Sequence, residues 1–142
     1  MTKPCIVLDT NVFLVSLAPQ YKYHWIYQYI LAGKFELCLT TDILLEYEEV
    51  VSQRYGIERI DGMFNYLLLL PNISLYTPSF RWYLIENDHD DDKFVDCYVT
   101  ANADHLVGND RHFNVLNSLD FPKINLLKYE EFVLYLMIFV KY

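Results

Sequence analysis

Four acidic residues are spaced so that an α/β chain could bring them together: Asp9 in CIVLDTN, Glu46 in DILLEYEEV, an aspartate of the acidic run at 88–92, and Asp110 in HLVGNDRHF. Each stands just past an apolar, strand-like run or in the first turn of a predicted helix. Carboxylates gathered in one pocket repel each other unless a cation lies between them. Divalent-metal chemistry is therefore the first expectation. The donors are oxygen, which favours Mg²⁺ or Mn²⁺ over softer ions. His89 and His112 lie near the acids in sequence, but neither they nor His24 and His105 show a zinc-ligand spacing with another His or Cys, which argues against zinc.

The elements that must position these acids alternate along the chain. CIVLD (5–9) is short, apolar and β-branched, as a strand buried on both faces should be. A helix over about 21–34 ends at Gly33 and leads into strand FELCL (35–39). Asp42 is the predicted N-cap of a helix reaching about residue 54. A further helix over 57–70 stops at Pro71-Asn72, ahead of strand ISLY (73–76). Beyond an aperiodic stretch at 77–89, a helix over 91–102 precedes strand HLVG (105–108). A short helical turn at 111–117, strand KINLL (123–127) and a final helix from about residue 129 complete the chain. Such alternation predicts a three-layer α/β/α sandwich with a central parallel sheet, and one domain over residues 1–142.

In a parallel sheet, ligands bind beyond the carboxyl ends of the strands. Asp9 follows the first strand directly and Asp110 follows the strand at 105–108 by two residues, so both belong at that edge. Asp-Thr-Asn is also good helix-start chemistry, so Asp9 read alone is equally a cap. In the 42–54 helix, Ile43, Leu44, Tyr47, Val50 and Val51 form the apolar stripe. Glu46 and Glu48 flank it, Glu49 points away, and Glu46 lies nearer the helix start. In the 91–102 helix, Asp91 stands at the N-terminus, where the helix dipole favours an acid. Asp92 and Asp96 are expected on the solvated side, and remain the alternatives to Asp91.

Composition narrows the classes. The chain of 142 residues is 54% hydrophobic and 17% aromatic, which supports a packed core rather than disorder. No apolar run approaches the roughly 18 residues of a membrane span, and MTKPCIVLD is not a signal peptide, so a cytoplasmic protein is expected. Cys5, Cys38 and Cys97 are isolated and odd in number, and are read as buried, reduced thiols. A net charge of -8 excludes broad electrostatic capture of nucleic acid and suits a basic partner. Tyr21, Tyr23, Trp25, Tyr27 and Tyr29 crowd one predicted helix and are read as a homodimer or partner surface, because one core cannot take rings from every face.

CIVLDTNVFLVSL, DILLEYEEVV, DDDKFVDCYVTANADHLVGNDRHF and INLLKYEEFV together resemble a PIN domain of the kind found in VapC-like toxins of bacterial toxin–antitoxin pairs. The resemblance runs over nearly the whole chain, in the family's order. It implies a parallel sheet covered by helices and a metal-dependent ribonuclease. Its acids fall on Asp9, Glu46, Asp91 and Asp110, with Asn11 as a supporting amide. Gly108 stands where the family often has Thr or Ser, and Tyr98 where a small residue is usual.

The chemistry so implied is hydrolysis of RNA phosphodiesters with one or two Mg²⁺ or Mn²⁺ ions. Asp9, Asp91 and Asp110 would be ligands, and Glu46 a ligand or the holder of a metal-bound water. Lys93 and Arg111 flank the acids and are candidates for phosphate contacts. A basic antitoxin is the implied protein partner. Two other readings are open: a non-catalytic module that binds RNA or a partner, and a phosphatase working through an aspartyl-phosphate on Asp9, which would want an acid where the chain has Asn11.

Overall fold

The computed structural model describes residues 3–79, 81–85, 91–109 and 111–139. Five strands, β1 (Cys5–Leu8), β2 (Glu36–Thr40), β3 (Ile73–Tyr76), β4 (His105–Val107) and β5 (Leu126–Leu127), form one sheet in the order β3-β2-β1-β4-β5. Every pairing is parallel. The chain winds outward from β1 in one direction through β2 and β3, then crosses to the other side for β4 and β5. The strand order therefore reverses between β1 and β4, the crevice where α/β sheets bind ligands.

Helices α1 (Thr10–Leu17), α2 (His24–Leu31), α3 (Thr41–Tyr55), α4 (Ile57–Leu68), α5 (Asp92–Ala101) and α6 (Tyr129–Phe139), with a 3-10 helix at Arg111–Ser118, cover the sheet as a three-layer α/β/α sandwich. All four residues of β1 are buried, as a central strand covered on both faces requires. Phe13 on α1 stacks flat on Tyr47 of α3, with ring centroids 4.2 Å apart, and both are fully buried. Aromatic burial of this kind contributes roughly 1.5–3 kcal/mol per side chain. It locks the two helices that follow β1 and β2 against each other.

Several expectations change in the structure. Helix α1 was absent from the pattern because VFLVSL is apolar throughout and shows no clear helical stripe; Asp9 nevertheless caps it. The N-cap of α3 is Thr40 rather than Asp42, its hydroxyl accepting the Ile43 amide at 3.2 Å. Strand 123–127 shrinks to Leu126–Leu127. Two rings of the half-buried aromatic cluster at 21–29 also pack within the chain: Tyr23 lies 4.5 Å from Tyr129, Trp25 lies 5.9 Å from Phe132, and the Tyr23 hydroxyl donates to Glu130 at 2.9 Å. These rings join α2 to α6.

Cys97 is a buried free thiol, and burial pushes it up to about 12. Cys5 and Cys38, by contrast, form a disulfide with their Cα atoms 6.3 Å apart. Their separation of 33 residues hid this pairing. Parallel register sets Cys5 opposite Glu36, and the two-residue repeat of a strand puts Cys38 on the same face as Glu36. Among the described residues no helix is long and apolar enough to cross a membrane.

Candidate active site

Asp9 is the first residue past β1 and is 4% exposed. Its amide donates to the Val107 carbonyl at 3.0 Å, which continues the β1–β4 ladder to the sheet edge. Its Oδ1 accepts the Val12 amide at 2.8 Å and so satisfies an open N–H of α1. The cap and site readings therefore hold for the same side chain. Its Oδ2 faces Gly108: a Cβ built at that glycine would lie 2.9 Å from Oδ2 and 3.2 Å from the Phe113 ring. The aspartate fills the space a side chain at 108 would need, so Gly108 makes room for the carboxylate.

Thr10, also buried, donates its hydroxyl to Glu46 Oε2. The other Glu46 oxygen receives the Lys93 ammonium at 2.6 Å. This ion pair is partly screened from water, with the two side chains 20% and 24% exposed. One residue on from Glu46, the buried Tyr47 hydroxyl donates to the Leu8 carbonyl, the last of β1. Burial raises the Tyr47 hydroxyl well above its ordinary 10.0, and the charges of Asp9 and Glu46 push it further. Tyr129 is likewise pushed up to about 12, by burial first and then by Asp9. Both hydroxyls stay protonated, and that of Tyr47 donates.

The other candidates separate. Asp91 is half-buried and occupies the position preceding α5. Asp92 and Asp96, expected in solvent, are each 5% exposed and have structural partners. Asp92 accepts the Ile85 amide at 2.8 Å and Asp96 the Trp82 amide at 3.0 Å. The helical stripe placed them wrongly because segment 81–85 folds over that face of α5. Burial raises the Asp96 carboxyl above 3.8, an effect opposed by the Trp82 amide. Glu49 is exposed, as expected. Asn11 is exposed in the first turn of α1, and the Val12 amide rather than Asn11 orients Asp9 Oδ1.

Asp110 lies outside the described residues, as do Asp88, His89 and Asp90. Its neighbours belong to the same edge: the Gly108 amide donates to Leu127, and Asn109 accepts the Tyr129 amide at 3.0 Å. Among the described residues, Asp9, Glu46 and Asp91 do not form a trio with ligand atoms all within 4.8 Å of one another. The structure ties Glu46 to Thr10, the residue after Asp9, and gives Glu46 an internal counter-ion. Thr10, Tyr47 and the Lys93–Glu46 pairing were missed as site features; the hydroxyl directly after Asp9 was the available signal for the first.

Beside Glu46 a cleft of about 440 Å³ is lined by residues that include Asp42, Arg81, Tyr83, Lys93 and Asp96. A second hollow, about 290 Å³, shares Asp42, Arg81, Lys93 and Asp96 and adds the hydroxyls of Thr40, Thr41, Thr77 and Ser79. Arg111 and His112 line a separate cleft of about 440 Å³ with Tyr83 and Ile85.

Residues 5–112 match a family model described as PIN domain. No curated protein matches the chain. A chain in the crystal structure of VapBC2 from Rickettsia felis bound to a DNA fragment from their promoter is 16% identical, with a TM-score of 0.61. The alignment covers 88% of this chain and 98% of that one, and at this identity the likeness is one of fold.

Proposed function

The chain belongs to the PIN domain family, and on that premise we propose that residues 1–142 form a single metal-dependent endoribonuclease domain, cytoplasmic, acting as the toxin of a toxin–antitoxin pair. The observation that carries this reading is that Thr10, the residue after Asp9 at the β1–β4 switch point, donates its hydroxyl to Glu46.

The donors suit a hard divalent cation: Asp9, Glu46, Asp91 and Asp110 offer oxygen only. Gly108 has no side chain to crowd Asp9 Oδ2, from which a Cβ at 108 would lie 2.9 Å. Asp9, Asp91 and Asp110 would hold Mg²⁺ or Mn²⁺, with Glu46 as ligand or water holder, and the ion would lower the pKa of bound water and balance charge on the reacting phosphate. The chain's own residues do the rest. The Val12 amide fixes Asp9, the Thr10 hydroxyl fixes Glu46, and the buried Tyr47 hydroxyl ties the helix carrying Glu46 to the strand carrying Asp9. Lys93 and Arg81 line the cleft beside Glu46 and suit an RNA backbone, with Arg111 further along. With a net charge of -8, local cations and bound metal must overcome general repulsion of RNA.

The same charge favours a basic antitoxin over the cleft, in keeping with the fold shared with a VapBC2 chain. The test is cleavage of labelled RNA with added Mn²⁺. Full cleavage in excess EDTA would rule the proposal out. The second reading, a non-catalytic module, draws on one observation: Lys93 already neutralises Glu46. It predicts RNA or partner binding without turnover at any Mn²⁺ concentration.

A further inference from the structure

At the opposite end of β1, Cys5, Glu36 and Cys38 bring two sulfurs and a carboxylate oxygen within 4.8 Å of one another, the one such trio of ligand atoms among the described residues. We propose that the Cys5–Cys38 disulfide is the oxidised form of a second metal site, and that the reduced chain binds one Zn²⁺ through Cys5, Cys38 and Glu36. Thiolate sulfur and carboxylate oxygen are both zinc donors, and three protein ligands leave a fourth position for water. Sequence spacing hid the site because its ligands meet across neighbouring strands.

Three features support it. Cys5 and Glu36 are register partners at the starts of β1 and β2, so the backbone holds the donors on one face. The Tyr76 hydroxyl of β3 donates to Glu36 Oε1 at 3.3 Å, the kind of outer contact that aims a ligating carboxylate. Cys38 is fully buried and Cys5 is 8% exposed, while Glu36 is half-buried and gives the trio its path to solvent.

The chemistry balances. A dithiol reductant delivers two electrons and two protons to the Cys5–Cys38 bond and leaves as a disulfide, giving two thiols. Zn²⁺ then displaces both thiol protons to solvent. A reducing compartment holds the chain in the zinc-binding form; a small-molecule disulfide that takes two electrons by thiolate exchange, and leaves as two thiols, closes the Cys5–Cys38 bond and releases the ion. The site lies about 13 Å along β1 from Asp9, by the rise of a parallel strand, so it is separate from the oxygen cluster.

The test is titration of the full chain with Co²⁺, whose thiolate complexes absorb in the near ultraviolet. Under a phosphine reductant, a charge-transfer band saturating at one ion per chain is expected, displaced by Zn²⁺ and absent from the oxidised chain. Cys5→Ser and Cys38→Ser should each remove the band, and Glu36→Gln should weaken binding roughly 10-fold. Cys97→Ser and Asp9→Asn should keep it, and the latter separates this site from the nuclease reading. No band in the reduced chain overturns the proposal, as does a band that survives Cys5→Ser. Should the serine variants misfold, the natural chain still decides: Zn²⁺ must slow alkylation of Cys5 and Cys38, counted by peptide mass, and unchanged rates overturn it.

Discussion

At one end of β1 the chain sets Asp9, Thr10 and Glu46, with Lys93 as counter-ion; at the other it sets Cys5 beside Cys38 and Glu36. Three buried residues of β1, Ile6, Val7 and Leu8, separate Cys5 from Asp9. The first is built from oxygen and held by helix starts: Asp9 caps α1, and Glu46 lies in the second turn of α3. The second is held by strand register, with sulfur as the main donor. Helix starts supply open N–H groups that orient carboxylates, whereas paired strands fix side chains on one face without supplying charge. The ends are therefore suited to different ions, and they should fail independently.

The largest effect should come from Asp9→Asn. The amide oxygen still accepts from Val12, so the cap survives and the melting temperature should move little, while Mn²⁺-dependent RNA cleavage should fall at least roughly 100-fold. If unfolding shifts strongly and cleavage does not, Asp9 is only a cap and the contrast between the two ends collapses. Gly108→Ser comes next. Its Cβ would crowd Asp9 Oδ2 and Phe113, costing about 1–3 kcal/mol in urea unfolding, together with loss of cleavage. An active, undisturbed serine variant would show that the space beside Asp9 is not fixed.

Tyr47→Phe strips the Leu8 carbonyl of its partner between the two ends and should cost about 1–3 kcal/mol by chemical denaturation. Cobalt binding at the sulfur end should persist. Lys93→Met removes a partly screened ion pair worth about 0.5–1 kcal/mol, and Mn²⁺ binding followed by electron paramagnetic resonance should tighten a few-fold once its competitor is gone. Weaker Mn²⁺ binding would instead make Lys93 a support for the site.

The smallest effect is a pH dependence at the sulfur end. Burial lowers His105 below its ordinary 6.5, against an opposing pull from Asp104. The unfolded chain then binds the proton more readily. Stability is full above about 6.5 and declines as pH falls from there toward the depressed native value. His105→Gln should flatten that slope in melting experiments between pH 7 and 5.

The central strand was legible because a buried parallel strand reads as a short apolar run, CIVLD exceeding β1 by one residue; ISLY at 73–76 matches the edge strand β3 in full although none of its residues is buried. Glu46 was legible as a flank of the α3 stripe, and it is half-buried. Period failed where a neighbour changed the environment. Segment 81–85 buries Asp92 and Asp96, which periodicity had assigned to solvent. The cysteine pair was hidden because cross-strand proximity depends on register, which no local spacing records. Asp9 was legible by position, and only the contact with Gly108 explains why that position tolerates no neighbouring side chain.

The bond from Tyr47 to Leu8 also bears on when the acid pair first exists during synthesis. Its ring is fully buried against Phe13, so the hydroxyl reaches β1 only after α1 and α3 have packed. A nascent or partly unravelled chain therefore holds Asp9 and Glu46 on separate, uncoupled segments. The emergence of the site is thereby tied to completion of the core.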